Sequence, residues 1–139
     1  MTRICFICLG NICRSPMAEF ILKELDKDNE FLVESRATSY EEQGNDMDSR
    51  AKNILKEHNI PYTRHHATRL ELSDKEKFDR FIVMEEYQID RVKNILGEDT
   101  IVEKLLEVDI EDPWYTNNFE FVYKQILQGC KNIKNEKML

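Results

Sequence analysis

Apolar positions along the chain follow two rhythms. Four short runs, Ile4–Leu9, Phe31–Glu34, Phe81–Met84 and Lys104–Ile110, have the length and composition of buried strands. Between them, apolar residues recur three and four apart, the period of a helix with one buried face. Met17, Phe20, Ile21 and Leu25 mark a first helix, and Ala51, Ile54, Leu55 and His58 a second. Ile89, Val92 and Leu96 mark a third, which Gly97 stops, and Phe119, Val122, Ile126, Cys130 and Ile133 mark the last. Residues 35–50 and 61–77 are polar and weakly periodic, and predict long loops. Strands alternating with helices, without repeat, linker or low-complexity tract, predict an α/β fold. Its four parallel strands would be covered by helices on both faces in a doubly wound arrangement.

Composition narrows this. A chain of 139 residues, 41% hydrophobic with four Gly and three Pro, predicts one domain over 1–139. The four doubly wound parallel strands put that domain in the flavodoxin-like class. A formal charge of −7 argues against a nucleic-acid surface or an anionic membrane as partner. Ile4–Leu9 is too short for a signal segment or a membrane span. A cytoplasmic location follows as the expectation, and the four cysteines are then read as thiols. None of the three histidines stands at zinc-ligand spacing from Cys or Glu, so neither metal nor cofactor is expected.

The densest chemistry lies at the first strand-to-helix corner, FICLGNICRSPMAEF, residues 6–20. The spacing of Cys8 and Arg14 alone is common, but its context is not. Ser15 followed by Pro16 reads as an N-cap and first helical position, so the loop ends at a helix N-terminus. Gly10 permits positive φ, and Asn11 tolerates the left-handed region. Such a loop can turn successive amides inward around an anion, with Arg14 adding a bidentate fork to phosphate oxygens. Cys8 at the floor would be a nucleophile beneath a bound phosphoryl group, its thiolate supported by amides and the Ser15 hydroxyl. In an open parallel sheet, ligands bind beyond the carboxyl ends of the strands. The corner and EDPWY (residues 111–115) both follow predicted strands, so one site can include both.

The loop C-L-G-N-I-C-R-S-P-M-A-E closely resembles the active-site signature of low-molecular-weight protein tyrosine phosphatases. The resemblance continues through ESRATS (34–39), GNDMDSRA (44–51), NIPY (59–62), HHA (65–67), FDRFIVME (78–85) and EDPWY. It implies metal-free hydrolysis through a cysteinyl-phosphate, with Cys8 as nucleophile, Arg14 and the loop amides binding the phosphoryl group, and Asp112 as general acid and base. Asn11 would hold the loop through a network that includes Ser35 and His65. Leu9, Gly10, Asn11, Ile12, Cys13 and Ser15 would line the substrate site, with Trp114 and Tyr115 as walls. Two departures stand out. The motif reads Asp112-Pro113-Trp114-Tyr115-Thr116 where the family typically has Asp-Pro-Tyr-Tyr-Gly, so the first tyrosine of that pair is missing. On the second loop, Glu41 stands where an aromatic is frequent, with Tyr40 one residue earlier as the alternative wall.

Expected substrates are phosphotyrosine proteins and small aryl phosphates, with inorganic phosphate as product and acid phosphatase activity. An arsenate reductase of the same fold would need a relay cysteine pair, yet after Cys13 the next cysteine is Cys130. A phosphoarginine phosphatase typically has threonine where Ile12 stands. A non-catalytic phosphate-binding module leaves Cys8, Arg14 and Asp112 together unexplained. Cys13 reads equally as a redox partner protecting Cys8 or as a small packing residue. Cys5, Cys130 and His58 read as packed side chains, and the acidic positions between Glu98 and Glu111 as a solvated face.

Overall fold

The computed structural model describes residues 1–136. Four strands, β1 (Thr2–Cys8), β2 (Phe31–Ala37), β3 (Arg80–Val83) and β4 (Val102–Lys104), form one parallel sheet in the order β2-β1-β3-β4. The helices are α1 (Arg14–Leu25), α2 (Ser49–Glu57), α3 (Tyr87–Leu96), the single turn α4 (Pro113–Thr116) and α5 (Phe119–Glu136), with a short 3-10 helix at Leu72–Glu76. The predicted α/β architecture is therefore observed.

Alternation along β1 builds the two halves of the core. Ile4, Phe6 and Cys8 face one way and pack with Met17, Ile21, Leu55, Val122 and Ile126 of α1, α2 and α5. Cys5 and Ile7 face the other way, with Leu70, Phe78, Val92 and Leu96. Cys5 and Cys130 are fully buried thiols, as expected. On α5, Gly129 lets the helix approach the chain after β4, because a Cβ there would overlap the Leu105 side chain. Gly97 ends α3 at φ 119°, its N–H donating to the Lys93 carbonyl at 2.8 Å.

Two predicted elements differ. The run Lys104–Ile110 is not a strand: β4 ends at Lys104, and only Leu105 and Ile110 of the following stretch are buried. The Leu105 N–H donates to the Val83 carbonyl at 2.9 Å and the Ile110 N–H to the Met84 carbonyl at 3.0 Å, so both ends are pinned to β3. Between them the chain bulges out, held by Lys104 Nζ on the Glu107 carbonyl at 3.0 Å. The loop predicted over 35–50 is also shorter, since β2 runs to Ala37 beside Cys8 and α2 starts at Ser49. His58 caps the end of α2, with its ring stacked on Tyr123 at 3.9 Å and Nε2 on the Glu120 carboxylate at 2.8 Å.

Candidate active site

Beyond the carboxyl end of β1, residues 8–15 wrap into a tight loop over the start of α1. Its carbonyls are drawn outward. Those of Cys8 and Leu9 accept from the N–H groups of Thr38 and Ser39 at 3.0 and 3.1 Å, and that of Ile12 from the Asp48 N–H at 2.9 Å. The Asn11 carbonyl accepts from His65 Nε2–H at 2.8 Å. In a trans peptide the following N–H points opposite to its carbonyl. The amides of Leu9, Gly10, Ile12 and Cys13 are thereby turned to the inner side of the loop, which is what an anion cradle requires.

Asn11, not Gly10, takes the left-handed conformation, at φ 59°. Its side chain explains why the turn is stable with no glycine there. Oδ1 accepts from the Thr68 N–H at 3.0 Å, and Nδ2 donates to Ser15 Oγ at 2.8 Å and Ser35 Oγ at 2.9 Å. Ser35 passes its proton toward Glu19 Oε1 at 2.6 Å. Ser15 Oγ already accepts from Asn11, so its hydroxyl proton is free for Cys8 Sγ, 2.9 Å away. The Asn11 N–H donates to the same sulfur at 3.3 Å.

Helix α1 begins two residues earlier than expected. Cys13, not Ser15, holds the cap position and makes no side-chain cap, while Pro16 sits inside the first turn, where its missing N–H costs nothing. Ser15 is absent from the cap because its hydroxyl is engaged with Asn11 and Cys8. Burial lowers the His65 pKa from its usual value, against the pull of the Asn11 carbonyl, so a neutral ring donates this bond.

Arg14 is 2% exposed and held by three groups. Its Nη1 donates to the Ile110 carbonyl at 2.7 Å and lies 2.9 Å from Glu85 Oε2, and Nη2 lies 3.5 Å from Asp112 Oδ2. Burial by itself would lower its pKa, but Cys8, Asp112 and Glu85 outweigh it and raise the value, so the guanidinium stays charged. Asp112 caps α4, accepting from the Trp114 N–H at 3.0 Å.

One cleft joins these parts. It is lined by Cys8, Leu9, Gly10, Ile12, Cys13 and Arg14 on the loop side, with Asp112, Trp114 and Tyr115 opposite and Glu41 and Glu42 at a third edge. Asn11 and Ser15 lie beneath the loop, not in the cleft, and are wholly buried with Ser35 and His65 close behind. Tyr40 is a correction: it is 61% exposed and stacks under Arg69, 4.8 Å from the guanidinium carbon, so Glu41 forms that wall. Burial first, then the charges of Asp48, Cys8 and Asp112, push the Cys13 thiol up, so at neutral pH it keeps its proton. Among the described residues, no group of three or more His, Cys, Asp or Glu side chains is placed to hold a metal ion. Nor is any helix there long and apolar enough to cross a membrane.

Residue-level reading missed Glu19, Glu85, Asp48 and Arg50. All four sit within stretches that carry the resemblance, but each reads locally as an exposed charge on an amphipathic helix, its cap or a strand end. Their partners are brought near only by the fold.

Comparison with known proteins agrees with the geometry. The sequence profile described as "Low molecular weight phosphotyrosine protein phosphatase" matches residues 3–138. The chain is 40% identical to the low molecular weight protein-tyrosine-phosphatase PtpA of Staphylococcus saprophyticus, over 97% of this chain and 93% of that one. It is 38% identical to PtpA of Staphylococcus aureus, over 96% and 92%. The crystal structure of SP-PTP, a low molecular weight protein tyrosine phosphatase from Streptococcus pyogenes, superposes with a TM-score of 0.92 at 36% identity, covering 100% of this chain and 94% of that one.

Proposed function

We propose, for a chain that belongs to the low molecular weight phosphotyrosine protein phosphatase family and is a protein tyrosine phosphatase, that Cys8, Arg14 and Asp112 carry its reaction. The observation that supports this most is the convergence of all three on one cleft, with Cys8 Sγ facing the Asn11 amide and the Ser15 hydroxyl. The Cys8 sulfur attacks phosphorus in line with the tyrosyl oxygen, and the P–O bond to tyrosine breaks as the S–P bond forms. Asp112 gives its proton to the leaving phenolate. Arg14 and the inward amides hold the three peripheral oxygens, where charge is concentrated during transfer. In the second step the Asp112 carboxylate takes a proton from water, which attacks the cysteinyl-phosphate. Inorganic phosphate leaves and Cys8 is restored.

The cleft suits phosphotyrosine proteins and small aryl phosphates, since Leu9, Ile12, Trp114 and Tyr115 offer apolar walls to a phenyl ring. Acid phosphatase activity on such small esters follows from the same chemistry. Ile12 offers a guanidine-linked phosphate no polar partner at that wall, which disfavours phosphoarginine. The nearest cysteine in sequence after Cys13 is Cys130, buried with its thiol 3.7 Å from the Ala18 carbonyl, so no relay pair serves arsenate reduction. Free thiols throughout fit a reducing compartment, and a single cooperative unfolding transition would be the mark of one domain over 1–139.

The test is a turnover panel of phosphotyrosine, phosphoserine and phosphoarginine peptides and arsenate, each with EDTA, for wild type and Cys8→Ser. Phosphotyrosine should be preferred and insensitive to EDTA. Cys8→Ser should lose turnover while still binding vanadate through Arg14 and the amides. Appreciable turnover in Cys8→Ser would end the covalent reading.

A further inference from the structure

The cradle is fixed by the fold, but Asp112 lies on a short segment with little burial of its own. Arg14 holds the start of that segment, through the Ile110 carbonyl and Asp112, and a second side chain braces its far end. Asp48 donates its N–H to the Ile12 carbonyl, so it is tied to the cradle itself. Its carboxylate then grips Arg50 as a fork, Oδ1 with Nε and Oδ2 with Nη2, both at 3.1 Å. Oδ1 also accepts from the Arg50 N–H at 2.8 Å. From there the guanidinium reaches across: its carbon lies 5.2 Å from the Trp114 ring centre and 4.9 Å from that of Phe119. Its Nη1 donates to Asn117 Oδ1 at 3.2 Å. Trp114 lies within α4 and Phe119 just beyond it, and Asn117 closes that turn in the left-handed conformation with its N–H on the Pro113 carbonyl at 2.8 Å. Asp112 opens the same turn.

We infer that Arg50 is a positioning residue for Asp112, a strut that runs from Ile12 through Asp48 to Trp114 and Asn117. It touches neither Cys8 nor the cleft floor, so it acts on proton transfer and not on phosphate binding. A guanidinium suits this task, since its plane stacks on two rings while its fork holds a carboxylate. A lysine offers neither the plane nor the fork. The inference rests on the reading of Asp112 as the acid.

Arg50→Met and Arg50→Lys test it, with Asp112→Ala alone and combined with Arg50→Met. The readout is kcat/KM across aryl phosphates from p-nitrophenyl phosphate, whose leaving group needs little protonation, to phenyl phosphate, whose leaving group needs it most. Loss of the strut should cost about tenfold with phenyl phosphate and far less with p-nitrophenyl phosphate. Inhibition by inorganic phosphate should be unchanged, which also reports an intact cradle. Trp114 is the only tryptophan, so its iodide quenching should rise in both variants. In the Asp112→Ala background, Arg50→Met should cost nothing more. Equal losses for all leaving groups, an undiminished loss without Asp112, or wild-type behaviour of Arg50→Lys would each overturn the inference. An Asp112→Ala enzyme with no leaving-group dependence would remove the acid reading, and the strut with it.

Discussion

The two sides of the cleft are held by opposite means. On the cradle side Cys8, Asn11, Arg14 and Ser15 are at most 3% exposed. Side-chain bonds join Cys8, Asn11 and Ser15 to one another, to Ser35 on β2 and to the 65–68 segment, and Arg14 is held by the Ile110 carbonyl, Glu85 and Asp112. On the Asp112 side Trp114 is 49% exposed and Tyr115 78%, and the segment hangs on a four-residue helical turn and a few side-chain contacts. Phosphoryl binding needs donors that do not reorganise when charge shifts, and a loop whose carbonyls and buried side chains are already bonded holds its inward amides in that state. Proton delivery must serve leaving groups of varied shape, which a rim segment can admit. The contrast teaches that the proposed division of labour in the reaction is also a division between buried and exposed supports.

That contrast can be broken at three points. Asp112→Ala should lower kcat/KM by about 10²–10⁴ for phosphotyrosine but much less for p-nitrophenyl phosphate. If both fall equally, the proton comes from elsewhere and the two sides are not separate in function. Oxidation probes the cradle side. After mild peroxide, a disulfide between Cys8 and Cys13, formed as water leaves the oxidised Cys8 sulfur, should let dithiothreitol restore wild type several-fold more fully than Cys13→Ser. Equal recovery would make Cys13 a packing residue. The smallest effect belongs to the edge. Glu41→Gln should raise kcat/KM by about two- to fivefold for phosphotyrosine peptides with acidic flanks, fading at high salt. No change at low salt would show that peptides leave the cleft along another side.

Legibility in the sequence followed the same line. Residues 8–15 were readable because the cradle is local: the proposed nucleophile, the turn and the guanidinium fork lie within one loop. Asp112 came as the acid with the family resemblance, and its place after a predicted strand put it near the same corner. Ser35 and His65 came only with the family resemblance, because their shared partner Asn11 is 24 and 54 residues away. Arg50 and Glu85 were invisible, since a charged residue on a helix face or beside a strand end looks like any solvated charge until the fold supplies its partner. The expected last strand failed because Leu105 and Ile110 are buried at the two ends of a bulge, mimicking a continuous apolar run. Ser15 misled in the other direction: its hydroxyl is the right chemistry for a cap, but Cys8 and Asn11 claim it.

The most direct test is to trap the intermediate. Asp112→Asn removes the base for the second step while a p-nitrophenyl leaving group spares the first, so the cysteinyl-phosphate should accumulate. Rapid mixing with p-nitrophenyl phosphate, followed by quenching and fragmentation mass spectrometry, should show a burst of p-nitrophenolate matching the enzyme concentration. The phosphoryl group should be found on Cys8, with none on Cys8→Ser. Product formation without a phosphorylated enzyme, or a phosphoryl group on any other residue, would contradict a cradle that carries the nucleophile opposite a rim that carries the proton.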